Sequence, residues 1–182
     1  MHTGNTTVSL AEEHLPTESA VIESGISYTI LRNGWYTENH TGSISGALAA
    51  GAVFGSAGNG KFSSAARADF AEAAVVVLTE PGHEGEIYEL AGDEAYTLAE
   101  YAAEIARQTV KNIVYNNLPV GEYAKILESF GLPGFIAEAI AGWDVSASKG
   151  DLFDDSHTLS KLIGRPTTPM SQVVSDAMAS LK

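Results

Sequence analysis

Residues 28 to 39 are Tyr-Thr-Ile-Leu-Arg-Asn-Gly-Trp-Tyr-Thr-Glu-Asn, and this stretch decides the fold. The run from Ile26 to Leu31 is β-branched and aromatic, which predicts a strand that ends at the polar turn Arg32-Asn33-Gly34. The preceding residues, Leu10 to Ser24, have the apolar spacing of a helix, and Gly25 is predicted to end it. A helix followed at once by a strand is typical of α/β proteins.

The same order of helix and strand recurs twice further along the chain. A helix from Ala66 to Leu78 is predicted to precede a strand from Glu86 to Ala91. A second helix runs from Thr97 to Gln108 and leads to an extended segment from Ile113 to Asn117, with Thr97 and Glu100 as its capping box. The remaining predictions are a short helix at 43–50, further helices at 119–130, from Pro133 to Trp143, at 158–163 and at 169–181, and brief extended pieces at Val53-Phe54 and Phe62.

Three strands separated by helices predict part of a doubly wound parallel sheet of the Rossmann type. Such sheets bind dinucleotides through a Gly-x-Gly-x-x-Gly turn, and the sequence contains no such turn. The nearest pattern, Gly55-Ser-Ala-Gly58-Asn-Gly60, has the spacing reversed and predicts an ordinary turn. We therefore expect 1–182 to be a single domain that lacks its N-terminal, nucleotide-binding half, on the order of 100 residues. Within it, 110–165 is expected to be a mainly helical, substrate-side region.

Composition narrows the function classes. The 182 residues are 45% hydrophobic, enough for one core, and carry a net charge of -13 with a pI near 4.6. That charge disfavours nucleic acids and anionic membrane surfaces as partners. The chain has no cysteine, and its first residues do not form a secretory signal, so a cytoplasmic location is expected.

Five ordered blocks give the chain a resemblance that runs over nearly its whole length. The blocks are Ala11-Glu-Glu-His14-x-x-Thr17-Glu18, Ser24-Gly-Ile-x-Tyr28-Thr-x-Leu-Arg32-Asn-Gly-Trp-Tyr36-x-Glu38-Asn39, Ala66-Arg67-Ala68-Asp69-Phe70, Gly82-His-Glu-Gly85-x-x-Tyr88-Glu-Leu-Ala-Gly92-Asp93 and Lys149-Gly-x-Leu-Phe-Asp-Asp155. Five blocks at natural spacing are far harder to match by chance than one short motif. With these blocks, the chain resembles the C-terminal portion of NAD(P)H:quinone oxidoreductases, in the NmrA-like, atypical branch of the short-chain dehydrogenases.

The resemblance implies which residues face the cofactor and the acceptor. The matching family loop follows the sixth strand and lines the nicotinamide end of the cofactor, and Arg67 would border the same pocket. The alternative is a polar turn with Trp35 and Tyr36 in the core, Arg67 on the surface and Asp69 favouring the helix dipole. The cofactor-facing residues implied by the match are Asn33, Gly34, Trp35, Tyr36, Thr37, Glu38 and Arg67.

His14 is the candidate catalytic residue. It stands where the related isoflavone reductase-like enzymes carry a catalytic lysine, and a histidine can relay a proton near neutral pH. The alternative is a solvated histidine in the first turn of a helix. The sequence has no Tyr-x-x-x-Lys, the usual proton donor of short-chain dehydrogenases, which favours an acceptor such as a quinone.

The resemblance thus implies NADPH-dependent hydride transfer to a quinone-like acceptor, with NADH as the alternative cofactor. The alternative function is an NmrA-like regulator that senses the dinucleotide without turnover. We expect no metal site, because Asp151, Asp154 and Asp155 lack EF-hand spacing and a matching histidine. The isolated chain is expected to bind NADPH weakly, as a fragment of a longer protein. The other way to cover its open face is a homodimer.

Overall fold

Two short parallel ladders form the β structure of the computed structural model, which describes residues 6–181. Strand β1 (Ile30–Asn33) pairs with β3 (Ile87–Leu90), and β2 (Ala52–Gly55) pairs with β4 (Val114–Asn117). The prediction that three strands share one sheet is therefore wrong for this part of the chain. The brief extended piece at Val53-Phe54 is a true strand, and it takes β4 as its partner.

Nine helices surround the two ladders within residues 6–181. Most lie within three residues of their predicted bounds, but the helix expected to end at Trp143 continues to Ser148, and the short helix at Thr37 was not predicted. The helices are α1 (Ala11–Glu23), α2 (Thr37–Thr41), α3 (Ile44–Ala50), α4 (Arg67–Thr79), α5 (Leu98–Thr109), α6 (Val120–Ser129), α7 (Gly134–Ser148), α8 (Thr158–Ile163) and α9 (Met170–Ala179).

The predicted capping box at the start of α5 is confirmed. The Thr97 hydroxyl accepts from the Glu100 N–H at 3.2 Å, and the Glu100 carboxylate accepts from the Thr97 N–H at 2.7 Å. These two bonds satisfy donors that the first turn of a helix cannot pair internally. The helix they begin buries one face, formed by Leu98, Tyr101, Ala102 and Ile105.

Each ladder has its own hydrophobic core. The larger core lies around β2, α5 and α9 and includes Phe62, Tyr96, Tyr101, Ile105 and Val174. The smaller one packs α4 and α8 against the β1–β3 ladder through Phe70, Leu90, Leu159 and Ile163. Trp35 packs against the larger core and Tyr36 against the smaller one, so that residues after the end of β1 contact both cores.

One edge of β1 is open in the described part of the chain. The strand begins at Ile30 rather than at Ile26, which is 71% exposed. Its bonds to the neighbouring segment run from Ile30 N to Glu86 O and from Gly34 N to Leu90 O. Because the backbone groups of alternate residues point to opposite sides, those of Leu31 and Asn33 face the side on which residues 6–181 place no strand.

None of the helices described here is long and apolar enough to span a bilayer.

Candidate functional site

Two clefts meet at the carboxyl end of β1. The first, the α1 cleft, has a volume of about 310 Å³ and is lined by His14, Thr17, Glu18, Ile30, Leu31, Arg32, Asn33 and Tyr36. The second, the α4 cleft, has a volume of about 280 Å³ and is lined by Asn33, Tyr36, Arg67, Phe70, Ala71 and Ala74. Asn33 and Tyr36 line both. Ligands of α/β folds bind at this end of parallel strands, which makes the two shared residues the centre of the candidate site.

Asn33 presents an unused acceptor at this centre. Its Oδ1 atom is enclosed and has no hydrogen-bond partner, while its Nδ2 atom lies 3.4 Å from the Tyr36 hydroxyl. A buried carbonyl oxygen without a partner costs about 1 to 3 kcal/mol. A ligand that offers an N–H or O–H donor to Asn33 would recover that cost.

Arg67, which the resemblance suggested as a residue at the border of the pocket, lines the α4 cleft. Its guanidinium carbon lies 4.6 Å from the centre of the Tyr36 ring, and Nη2 donates to the side chain of Asn39 at 3.2 Å. Its backbone N–H donates to the Glu38 carboxylate at 2.9 Å. The cation is thus held over the Tyr36 ring while its outer face stays exposed.

Gly34 and Trp35 face away from these two clefts. With Ser63, Leu152 and neighbouring residues they line a separate cavity of about 10 Å³, room for roughly one water molecule. A side chain at Gly34 would place its Cβ 2.7 Å from the Leu90 carbonyl oxygen. The Trp35 ring packs edge to face against Trp143, with 5.6 Å between ring centres. The six consecutive residues that the resemblance marks as cofactor-facing therefore do not share one surface.

A buried chain of hydrogen bonds fixes the segment behind the site, and the sequence did not reveal it. The Thr37 and Ser64 hydroxyls lie 2.8 Å apart, Ser64 and the Tyr96 hydroxyl 2.7 Å, and Tyr96 and His40 Nδ1 2.9 Å. Burial lowers the pKa of His40 to about 4 and raises the pKa of Tyr96, so both groups are neutral near pH 7. The one sequence signal was the polar pair Ser63-Ser64 within an apolar run.

Arg32 fastens α1 to the β1–β3 ladder. It donates to both carboxylate oxygens of Glu18, at 2.9 Å from Nε and 2.6 Å from Nη2, and to Glu89 at 2.7 Å. The bond to Glu18 is the main cause that raises the pKa of Arg32, and it lowers the pKa of Glu18. His14 lies one turn before Glu18 on the same helix, is exposed and lines the α1 cleft. The fold thus brings His14, Asn33 and Tyr36 to one cleft.

The comparisons with known proteins agree with this architecture. The chain is 52% identical to quinone oxidoreductase 2 of Escherichia coli (strain K12). That match covers 96% of the chain and 61% of the relative. A crystal structure of the NADPH-dependent quinone oxidoreductase from Escherichia coli, complexed with NADPH, matches with a TM-score of 0.94 and 51% identity. It covers 98% of this chain and 63% of that one.

A more distant structure shares the fold. Triphenylmethane reductase of Citrobacter sp. matches with a TM-score of 0.91 and 33% identity, over 98% of this chain and 62% of that one. The chain therefore spans about three fifths of the length of the relatives it matches. No protein-family model matches it. The predicted α/β, Rossmann-like fold is confirmed.

Two acidic features have structural roles. Asp69, which the sequence assigned to the helix dipole, is fully buried and accepts from Arg165 Nη2 at 2.8 Å and from Thr168 N at 2.8 Å. It therefore ties α4 to the loop after α8, which the dipole interpretation missed. Asp151 accepts from the Thr7 N–H at 2.6 Å. Within residues 6–181, no three His, Asp or Glu side chains lie close enough together to hold a metal ion.

Proposed function

We propose that this chain is the acceptor-side part of an NAD(P)H-dependent oxidoreductase that transfers hydride to a quinone-type acceptor. The observation that carries the proposal is the unpaired Asn33 Oδ1 atom at the meeting point of two clefts, at the carboxyl end of β1. The 52% identity to quinone oxidoreductase 2 of Escherichia coli supports the choice of acceptor. The blocks quoted above support placement in the NmrA-like branch, as its C-terminal portion.

The residues at the two clefts fit the nicotinamide end of NADPH, with NADH as the alternative. A carboxamide offers the N–H donor that Asn33 Oδ1 lacks, and Tyr36 with Arg67 over its ring forms a flat, cationic wall beside it. When bound, this cofactor supplies the hydride. The glycine-rich turn that would hold its pyrophosphate is not in the 182-residue sequence. We assign that part to a preceding half of a longer protein, and the region 110–165 to the acceptor side.

The reduction also needs a proton. A quinone that accepts one hydride becomes a hydroquinone only when one proton is added to the oxygen that carries the new charge. His14 lines the α1 cleft from an exposed helix face, where a histidine can exchange protons with solvent. We assign it the role of proton relay to the reduced acceptor.

Two assays test the function. The 182-residue chain should bind NADPH with a dissociation constant weaker than about 10 µM by calorimetry, which is about 7 kcal/mol of binding. The protein that includes the preceding segment should oxidise NADPH only when a quinone is supplied. Dinucleotide binding without any quinone-dependent oxidation would instead establish a sensor.

Replacing Asn33 tests the site within that assay. In the longer protein, Asn33→Leu should lower kcat/KM by about 10 to 100-fold, because a buried hydrogen bond to the ligand is worth about 1 to 3 kcal/mol. Asn112→Leu, an exposed position in the loop before β4, is the matched control and should leave kcat/KM unchanged. Equal rates for the two variants would remove Asn33 from the site.

The proposed relay has its own test. His14→Ala in the longer protein should lower quinone-dependent turnover by about 10-fold or more and flatten its dependence on pH between about 5 and 9, where histidine changes charge. Glu12→Ala, an exposed neighbour in the same turn of α1, should behave like the parent. A His14→Ala enzyme with the parent's pH profile would exclude the relay.

A further inference from the structure

A buried carboxyl group lies outside the site described above. Asp144 in α7 is 7% exposed, and its Oδ2 atom accepts from the Ser56 backbone N–H at 2.7 Å. The contact is close because position 55 is a glycine: a Cβ there would lie 2.7 Å from the same oxygen. The local sequence therefore leaves room for this carboxylate beside the end of β2.

Ser56 begins a loop, residues 56–60, whose first three N–H groups all bond to side chains. The Ala57 N–H donates to the Tyr115 hydroxyl at 3.1 Å, and the Gly58 N–H donates to Asn117 Oδ1 at 2.9 Å. Asp144 is the charged member of the three acceptors. Consecutive backbone N–H groups in a turn favour negative charge beside them, and here the carboxylate of Asp144 supplies that charge to the first of the three.

The 56–60 loop is also pressed against α7. A Cβ at Gly60 would lie 2.5 Å from the Ala147 carbonyl oxygen, so the loop and the helix backbone are in direct contact there. Trp143 immediately precedes Asp144 on this helix and packs edge to face on Trp35. The Phe62 ring, just beyond the loop, also packs against Trp35, with 6.4 Å between ring centres. The loop thus connects Asp144 with the aromatic residues behind the site.

We propose that Asp144 is a positioning residue: its ionised carboxylate holds the 56–60 loop and, through α7 and Phe62, the Trp35–Trp143 pair, and its protonation loosens this connection. A bond from an N–H to a carboxylate is about twice as strong as one to a neutral acceptor, so the Ser56 bond weakens when Asp144 takes up a proton. Asp144 is then a pH-sensitive element of the wall behind the site.

The opposing effects of burial and of the Ser56 N–H bond place the protonation of Asp144 near neutral pH. Burial raises the pKa of Asp144 to about 6, against the opposing effect of the Ser56 N–H bond. The titratable groups that face it are Tyr115 of β4 and Tyr123 of α6, and burial together with the Asp144 charge raises the pKa of both phenols. Both therefore stay protonated while Asp144 titrates. From α5, the apolar side chain of Leu98 approaches the same position at Gly55 as the Asp144 carboxylate does.

The test uses the 182-residue chain and needs no cofactor. In an NMR titration of the unaltered chain, the Asp144 carboxyl carbon and the Ser56 amide proton should move together with one midpoint near pH 6, the amide proton upfield as the pH falls. An Asp144 midpoint below pH 5, or a Ser56 amide that does not move with it, would overturn the proposal.

Tryptophan fluorescence provides the second readout, because the two tryptophans of the chain are Trp35 and Trp143. Their emission should change with a midpoint near pH 6 in the parent and stay flat from pH 5 to 8 in Asp144→Asn, which keeps an acceptor but cannot ionise. His40→Gln controls for the histidine whose ring lies 6.3 Å from Trp35, and it should keep the transition. A transition that survives in Asp144→Asn and disappears in His40→Gln would refute the role of Asp144.

Discussion

Gly92→Ala should lower the free energy of unfolding of this chain by about 3 kcal/mol or more, the upper range for forcing atoms into a packed core. Gly92 is buried two residues after the end of β3, and an added Cβ would overlap the carbonyl oxygen of Ser64. Backbone cannot move aside as a flexible side chain can. The Gly92 N–H also donates to Ser63 O at 2.9 Å, so the substitution would push apart two segments that support the site.

Gly142→Ala is the matched control. Gly142 lies inside α7, and outside its chain neighbours and the backbone of its own helix no atom would come within 4 Å of an added Cβ. Alanine favours a helix over glycine by about 1 kcal/mol, so this variant should be as stable as the parent or more stable. Urea unfolding followed by far-ultraviolet circular dichroism gives both values. If both variants unfolded at the parent's midpoint, the close packing at Gly92 would be disproved.

Asp69→Ala should destabilise the chain by about 3 kcal/mol, because hydrogen bonds to a buried charged group are worth about 1.5 to 3 kcal/mol each. The carboxylate accepts from Arg165, from the Thr168 N–H and from the Thr168 hydroxyl. Alanine would leave the Thr168 N–H without its acceptor and release the loop after α8 from α4. Arg165 would keep its ion pair with Glu72, which limits the loss.

Glu72→Ala removes the other carboxylate that pairs with the same arginine. Glu72 is 41% exposed, whereas Asp69 is fully buried. An exposed ion pair contributes at most about 1 kcal/mol, so Glu72→Ala should change the unfolding free energy by less than that. Thermal and urea unfolding of the two variants would separate the effects. A larger loss for Glu72→Ala than for Asp69→Ala would contradict the assignment of Asp69 as the anchor.

Local sequence signals predicted most of the helices and one cap in detail. The Thr97 and Glu100 capping box depends on residues three positions apart, and the structure has it as predicted. The pairing of strands could not be predicted in the same way. Each strand has four residues, and β2 and β4 are separated by three other elements, so their partners are set by which cores the flanking helices bury.

In the candidate site, too, local sequence signals predicted one part and only the tertiary structure supplied the other. The order of Asn33, Gly34, Trp35 and Tyr36 after a strand was sufficient to mark this segment and, with the family resemblance, to point to a dinucleotide-dependent reductase. Which way each of these side chains faces could not be predicted from the sequence. At the end of a strand, the direction of a side chain depends on the segments that pack on either side of it.

The sequence by itself determined the α/β character, the helix positions, the acidic surface and the segment at the end of β1. Only the tertiary structure decided that Asn33 and Tyr36 line the clefts while Trp35 packs against Trp143. It also joined His40, Ser64 and Tyr96 in one chain of hydrogen bonds and put Asp144 against Ser56. These hydrogen bonds join residues 32 to 88 positions apart. Short-range sequence patterns carry no information about contacts between residues so far apart in the chain. These residues come together because the chain folds so as to bury both hydrophobic cores at once.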